Sequence, residues 1–469
     1  MNAAGKLAAD QAPYARFVVA ETSGRSRAGT IRCVINKHFA IDAGVLSAYC
    51  FRELPRRADD LVLITASVAF ADRTVARQAS FTWRRELDLS IPVHDVDFWT
   101  RPEVLASLQD LLALLTGDAW TLDFNRRRTT IATELQDPLP LMHGEEPVVM
   151  PFSDGLDSLA GARLIASQEP EAPLILVTAG QRSDADREWR ERYLNARRYR
   201  LVLPFRFPQS GHRFRESSYR TRALVYGVMG GIAAHLSGGT RVVYAESGQG
   251  ALGPWLVPVG NEAPDVRMHP LFTQRLGKFL EAVLGSSLRF EHPNLWNTKG
   301  ETLRALVDRG LTENWNKTRS CARDARHMSV DGKHMQCGVC PGCLLRRQSL
   351  LAAGLDEALE SSPYFWKDLS AHSLAAASRS KHRATTVDDE RQAVCGFLSL
   401  TQLADLADPR ARPEVAELAN QLAVTLGASE SRVMANLQRL LNSHKAEWMS
   451  FLGRLGPSSF LSKWKSERQ

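Results

Sequence analysis

The stretch that decides the fold is VVMPFSDGLDSLAGARLIA, residues 148–166. Its first five residues include Val148, Val149, Met150 and Phe152, which have the composition of a short buried strand. A polar segment at residues 153–158 contains two Ser, two Asp and one Gly, and from Leu156 onward apolar residues recur at helical spacing. The stretch therefore predicts a strand, a loop and a helix.

The loop of this stretch is a predicted phosphate-binding site. A loop that leads from a strand into a helix points several backbone N–H groups and the positive end of the helix dipole at one place, where an anion can bind. Ser153 and Ser158 can add hydroxyl donors, and Asp157 is placed to bind magnesium or to orient the leaving group. An ordinary turn rich in Asp and Ser would have the same composition, so this alternative stays open.

Four cysteines form a second pattern, with the spacing C-x15-C-x2-C-x2-C: Cys321, Cys337, Cys340 and Cys343. Four thiolates at this spacing can close a tetrahedral zinc site, which we expect to be structural. An iron–sulfur cluster could use the same ligands. A disulfide framework is the weaker alternative, because the N-terminal residues have no apolar signal-peptide core.

The loop and the cysteines together resemble the PP-loop ATP pyrophosphatases, and in particular the 7-cyano-7-deazaguanine synthase (QueC-like) family. SDGLDS is similar to the SGGxDS signature, with Asp154 at a position where the family has glycine. A residue other than glycine would cost about 1–2 kcal/mol if that backbone needs a positive φ. The resemblance covers about residues 145–355, and its further segments follow in order: GQR (180–182), APDVRMHP (263–270), WNTKGE (296–301), TRSC (318–321) and CGVCPGC (337–343).

The resemblance implies that ATP and Mg²⁺ bind at the loop and that Zn²⁺ binds at the cysteines. It implies catalytic roles for Ser153, Asp157 and Ser158. The residues that we expect at the nucleotide are Phe152, Ser153, Asp154, Gly155, Leu156, Asp157, Ser158, Gly180, Gln181, Arg182, Asp265, Arg267 and Lys299. For the last four, surface ion pairs are an equally good interpretation.

In the family, ATP adenylates the carboxylate of 7-carboxy-7-deazaguanine, ammonia displaces AMP, and a second ATP dehydrates the amide to a nitrile. A stand-alone nitrile synthase needs only the central segment. The longer chain therefore looks more like the enlarged QueC-like proteins of bacterial anti-phage defence, such as the QatC type. For these, the implied product is an amide formed with an amine of a partner protein encoded nearby. The alternatives are a 7-cyano-7-deazaguanine (preQ0) synthase of queuosine biosynthesis, a PP-loop tRNA-modifying enzyme, and an inactive nucleotide-sensing scaffold.

Composition sets limits on the class of protein. The chain has 469 residues, of which 44% are hydrophobic and 24% charged, so we expect a globular protein of about three domains at ~150 residues each. No apolar run approaches the ~20 residues of a membrane span, which predicts a cytoplasmic protein without a membrane partner. The net charge of +7 permits an anionic partner. Nucleic acid is the less favoured one, because aromatic residues do not alternate with the basic ones.

The expected fold class is α/β, with a doubly wound parallel sheet of the PP-loop (adenine nucleotide alpha hydrolase-like) type. Apolar runs at residues 174–178, 201–205 and 242–245 alternate with helical segments, one of them at 182–200, and predict buried parallel strands. The Gly- and Pro-rich residues 247–270 predict a lid or pocket loop. We expect three domains: an N-terminal α+β accessory domain (1–140), the PP-loop domain with its zinc site (145–357), and a linker with a helical C-terminal region (358–469).

The accessory domain has its own predicted elements. We expect strands at residues 17–20, 30–36, 81–89 and 120–124, and helices at residues 61–75 and 103–115. No residue of this region has catalytic spacing. We interpret it as an interaction or substrate-presenting domain.

Overall fold

The structure is a computed structural model. It describes residues 12–50, 52–78, 82–129, 146–153, 155–180, 198–208, 214–258, 260, 262–321, 329–330, 333–379 and 384–467. Most of the helix expected in residues 182–200 falls outside these ranges, and its last residues, 198–200, belong instead to a strand.

The elements of the first half of the chain are β1 (Tyr14–Ala20), β2 (Thr30–Val34), β3 (Ala40–Ile41), α1 (Gly44–Cys50), α2 (Arg56–Thr74), β4 (Glu86–Val93), α3 (Val96–Trp99), α4 (Pro102–Thr116), β5 (Ala119–Arg126), β6 (Val148–Pro151), α5 (Leu156–Gln168), β7 (Leu174–Gly180), β8 (Arg198–Arg206) and α6 (Arg222–Ser237).

Those of the second half are β9 (Arg241–Val243), α7 (Gly248–Ala251), α8 (Gly253–Leu256), α9 (Pro270–Leu284), β10 (Arg289–Glu291), α10 (Lys299–Asp308), β11 (Ser329–Val330), β12 (Lys333–His334), α11 (Pro341–Ala353), α12 (Val387–Asp405), α13 (Arg412–Leu426), α14 (Glu430–Leu455) and α15 (Phe460–Ser466). Short 3-10 helices lie at Trp315–Lys317, Glu357–Leu359 and Pro409–Ala411.

These elements form two compact units, and both are discontinuous in sequence. Unit 1 contains Met1–Phe152, Glu169–Tyr244 and Gly260–Glu291, as far as they are described. Unit 2 contains Ser153–Gln168, Ala245–Val259 and His292–Gln469. The division into domains at residues 140, 145 and 357 stays a prediction.

Unit 1 contains a four-stranded parallel sheet in the order β2-β1-β4-β5. In β5, Trp120, Leu122 and Phe124 are buried, whereas Thr121 and Asp123 between them are exposed. Alternating residues of a strand point to opposite faces of its sheet, so this pattern puts one face against the core. The strand predicted at residues 120–124 is confirmed, as are the helices predicted at 61–75 and 103–115, which are α2 and α4.

A second sheet of unit 1 has the order β10-β9-β6-β7-β8-β3. Its first five strands are parallel, and β3 pairs antiparallel with β8 at the edge. The chain adds β7 and β8 on one side of β6 and then β9 and β10 on the other, a reversal that is typical of doubly wound sheets. The predicted α/β class with buried parallel strands is thus confirmed.

Helix α2 carries a buried ion network that the sequence analysis did not predict. The Arg85 guanidinium has no exposed surface, and its Nη2 lies 2.6 Å from both Asp72 Oδ1 and Asp118 Oδ2. Arg77 Nη2 donates to Asp118 at 2.7 Å. Removing one member would leave a buried charge uncompensated, at a cost of about 3–5 kcal/mol.

Three sequence-based expectations differ from the structure. The helix expected at 61–75 is α2, which begins earlier, at Arg56. The strand expected at 81–89 is β4, which begins only at Glu86, because Arg85 binds Asp118 through both its backbone N–H and its side chain. The stretch predicted as a lid loop, 247–270, contains the helices α7 and α8. Ser247 and Leu252 are the N-cap positions of these helices, and a proline lies in the first turn of α8.

Among the described residues, no helix has both the length and the apolar character that crossing a membrane requires.

Unit 2 has a core built around the cysteines. Cys337, Cys340 and Cys343 are fully buried in one apolar cluster with Trp366 and Trp448. The C-terminal helices α12, α14 and α15 supply much of this cluster, including Phe397, Phe451, Phe460 and Leu461. The helical C-terminal region is therefore part of the packing that buries the cysteines.

Gly396 of α12 tests this packing. A Cβ at this position would lie 2.3 Å from Val339 O, in the loop between two of the cysteines. We expect Gly396→Ala to destabilise unit 2 by about 1–3 kcal/mol, since the methyl group must push the helix away from the loop. The matched control is Gly453→Ala in α14, where a Cβ would meet nothing within 4 Å. That variant should unfold at the same or a higher temperature. Equal unfolding midpoints for the Gly396 variant and the native protein would contradict the contact.

Candidate functional site

The loop after β6 forms a compact hydroxyl pair at the start of α5. Ser153 Oγ and Ser158 Oγ lie 3.0 Å apart, and Ser158 Oγ accepts a hydrogen bond from Ser153 N at 3.2 Å. Ser153 Oγ also accepts from Gly155 N at 3.3 Å. These residues are half-buried, so their hydroxyl and amide groups remain within reach of a ligand. The arrangement offers donors at a helix N-terminus, where anions bind favourably.

Asp157, in the first turn of α5, makes a buried ion pair with Lys299. Lys299 Nζ lies 2.6 Å from Asp157 Oδ2, and the two side chains are 6% and 15% exposed. Burial acts to lower the pKa of Lys299, but the negative charges of Asp157 and Glu246 outweigh it, so the pKa lies above its ordinary value. The ammonium is therefore charged and paired with the Asp157 carboxylate. The structure thus brings together two of the predicted site residues.

Lys299 is placed by the motif WNTKGE. It is the first residue of α10, directly after the N-cap Thr298. Thr298 and Glu301 form a capping box, in which each side chain binds the backbone N–H of the other residue. The cap fixes where the helix starts. This is the local reason that the Lys299 side chain has a defined position.

Glu246 is absent from the list of expected nucleotide-binding residues, although the sequence predicts that it emerges at the carboxyl end of a strand, as Ser153 does. It follows the end of β9 in the chain, and its carboxylate lies so close to α7 that a Cβ on Gly250 would be 2.0 Å from Glu246 Oε1. It contributes to the charge around Lys299. The available signal was its position after an apolar strand, in ESGQG. The sequence of that short segment does not predict that Glu246 influences Lys299.

The four predicted metal ligands come together. Their sulfur atoms all lie within 4.8 Å of one another, and Cys337 Sγ and Cys343 Sγ are 3.8 Å apart. Four sulfurs at about 2.3 Å from one tetrahedral zinc ion would be separated by about 3.8 Å, so the donor set fits zinc. All seven cysteines lie in the described ranges, and none forms a disulfide.

Backbone donors support the sulfurs. Cys337 N donates to Cys321 Sγ and Cys340 N donates to Cys337 Sγ, both at 3.2 Å. Gly338 between them has a φ of 92°, and a Cβ there would lie 2.7 Å from Trp366 O. Both facts explain why glycine occupies this turn. The cluster could hold a metal ion such as zinc, and a single ion suits the short sulfur separations better than a cluster of several irons.

The TRSC segment connects the cysteines to the loop. Its last residue is the ligand Cys321, and Arg346 Nη1 donates to Thr318 Oγ1 at 2.8 Å. Two residues before Cys321, the carbonyl oxygen of Arg319 lies 3.6 Å from the position of a Cβ on Gly155. The segment that ends at Cys321 therefore approaches the loop at Gly155.

Leu156, the first residue of α5, is fully buried, so its side chain does not face a ligand. The other remaining predicted site residues belong to unit 1 or lie outside the described part. Phe152 is buried, with the Arg200 guanidinium 5.1 Å from its ring, and Gly180 ends β7. Arg267 Nη2 binds Asp265 Oδ2 at 2.5 Å. The predictions for Asp154, Gln181 and Arg182 fall outside the described residues.

Comparison with known proteins adds no identification. No protein-family model matches the chain. No curated protein matches it either.

Proposed function

We propose that the chain is an ATP-dependent ligase of the QueC-like kind, which adenylates the carboxylate of a 7-carboxy-7-deazaguanine-like base. The observation that supports this most is the ion pair of Asp157 and Lys299 beside the Ser153–Ser158 hydroxyl pair. Hydroxyls, loop amides and a buried ammonium at one helix N-terminus are the groups that stabilise phosphates and a leaving pyrophosphate.

Each residue has a proposed task. Ser153, Gly155 and Ser158 form the wall of the site for the β- and γ-phosphates, with the serine hydroxyls as donors. Lys299 neutralises charge that develops on the pyrophosphate, while Asp157 holds the lysine in place. Asp157 and Glu246 carry the oxygen ligands that Mg²⁺ prefers. When bound, Mg²⁺ would neutralise phosphate charge, whereas zinc at the cysteines would be structural.

The proposed reaction has two steps that balance. A carboxylate oxygen of the base attacks the α-phosphorus of ATP, and the bond to the bridging oxygen breaks, so that pyrophosphate leaves with the electron pair. An amine then attacks the acyl carbon, loses a proton and expels AMP, which leaves an amide. Activation is needed because a carboxylate has no good leaving group, so the main catalytic terms are alignment and charge stabilisation.

The amine is proposed to come from a partner protein, in bacterial anti-phage defence. The support is indirect: the resemblance ends near residue 355, and the remaining segments exceed what a small nucleophile such as ammonia requires. An extended protein terminus must instead be held with its amine ~3–3.5 Å from the acyl carbon. The net charge of +7 suits an acidic partner.

A pyrophosphate assay tests this proposal. Purified protein with ATP, Mg²⁺ and 7-carboxy-7-deazaguanine should release AMP and pyrophosphate, and protein without the base should release far less. Intact mass spectrometry of a co-expressed neighbouring protein should detect the added base. Free 7-cyano-7-deazaguanine from ammonia, with no labelled protein, would favour the queuosine enzyme. No pyrophosphate with this base would refute the proposed substrate.

A further inference from the structure

One face of α14, far along the chain, contacts the WNTKGE motif. Arg439, Ser443 and Glu447 are four residues apart and lie on one face of the helix, next to His444. Arg439 Nη1 and Ser443 Oγ both donate to Glu301 Oε1, at 2.8 and 3.0 Å. The helix therefore binds the capping box that starts α10.

His444 is the centre of a hydrogen-bond chain with a defined direction. It is fully buried, and burial lowers its pKa to about 4, so the ring is neutral. Its Nε2 lies 2.8 Å from the carbonyl oxygen of Leu400, which can only accept, so Nε2 carries the proton. Nδ1 is then an acceptor, and Gln249 Nε2 donates to it at 2.8 Å.

This orientation of Gln249 reaches Lys299 itself. With its amide nitrogen on His444, Gln249 presents Oε1 to the backbone N–H of Lys299, at 2.7 Å. The first amides of a helix have no partner within the helix, so Lys299 N depends on this side chain for its hydrogen bond. The neutral ring of His444 thus determines which atom of Gln249 faces the start of α10.

Glu447 contacts the same first turn of α10 through Thr298. It accepts the hydroxyl of Thr298, whose oxygen in turn accepts from Glu301 N at 2.9 Å. A Cβ on Gly300 would lie 2.5 Å from Glu447 Oε1, so the carboxylate sits directly on the helix backbone. Burial is the main cause that raises the pKa of Glu447 to about 7.

We propose that His444 and Glu447 of α14 are positioning residues for Lys299, which they act on through Gln249 and Thr298. They fix the first turn of α10, and thereby the direction in which the lysine side chain reaches Asp157. The effect on catalysis rests on the proposed function, whereas the effect on the Lys299 backbone does not.

The test measures amide hydrogen exchange of Lys299 at residue resolution, in the full chain, together with pyrophosphate release. His444→Phe keeps an aromatic ring but removes both nitrogens. We expect Lys299 N–H to exchange at least about tenfold faster and kcat to fall about tenfold, while exchange in α13 stays unchanged. Asn442→Ala, on the exposed side of α14, is the control and should change neither quantity.

A second pair of variants covers the case in which His444→Phe does not fold. Glu447→Ala should accelerate Lys299 exchange, and Glu447→Gln should restore most of the loss because its amide oxygen still accepts from Thr298. Unchanged Lys299 exchange in Glu447→Ala, or an equal rise throughout α11 to α14, would overturn the proposal. Native protein that releases no pyrophosphate, with Lys299 exchange responding as expected, would instead refute the proposed function and leave the positioning role intact.

Discussion

Asp157→Ala is expected to reduce AMP formation by at least about 100-fold, because it removes the group that holds Lys299 beside the phosphate loop. The side chains of Asp157 and Lys299 are 15% and 6% exposed. Removing the carboxylate leaves a buried ammonium with one fewer partner, so stability should also fall, by up to about 3–5 kcal/mol. AMP is measured by chromatography, and stability by thermal unfolding.

Two further variants separate catalysis from stability. Ser153→Ala removes the hydroxyl pair with Ser158 but leaves the ion pair intact, so it should abolish AMP formation with little change in unfolding temperature. The matched control is Glu313→Gln, since Glu313 also pairs with α5, through Arg163 at 3.9 Å, but is 77% exposed. Exposed pairs contribute about 0–1 kcal/mol. Near-native turnover in either Asp157→Ala or Ser153→Ala would show that the assigned phosphate site is wrong.

Loss of the metal is expected to have the largest effect on stability. Elemental analysis should find about one zinc per chain in a colourless protein. Binding at structural zinc sites contributes an apparent ~10–16 kcal/mol, so chelation or Cys340→Ser should unfold the core of unit 2 and make the protein aggregate. Iron in the purified protein, together with a visible absorbance band, would show that the cysteines hold an iron–sulfur cluster and not zinc.

The core explains why the effect should extend beyond the cysteines. Cys340 is the N-cap of α11, and its neighbours Trp366, Phe397 and Trp448 come from three other segments of unit 2. Without a metal, burial raises the pKa of the Cys343 thiol and favours its protonated form, and the four cysteines lose the metal bonds that hold their segments together. Cys50→Ser is the control, because Cys50 lies outside the cluster. This variant should have the same metal content as the native protein. A Cys340→Ser variant with native zinc content and stability would contradict the assignment of this ligand.

Local sequence was sufficient for much of the fold. The apolar run at 148–152 predicts β6, and the helix after it begins where the period changes. The cysteine spacing was sufficient to predict the four-cysteine cluster, because three of the ligands lie close together in the sequence and only Cys321 is distant. Strand β4 begins later than predicted, because Arg85 binds Asp118, a residue distant in the sequence.

The sequence by itself determined the parallel α/β sheet and the cysteine cluster, because apolar periodicity and ligand spacing act over a few residues. Only the tertiary structure decided that Lys299 pairs with Asp157, that the charge of Glu246 also raises the pKa of Lys299, and that His444 orients Gln249. These partners are far apart in the chain. Each of these side chains could form an ordinary ion pair or hydrogen bond at the surface. The packing of α5, α7, α10 and α14 decides which partner each side chain contacts.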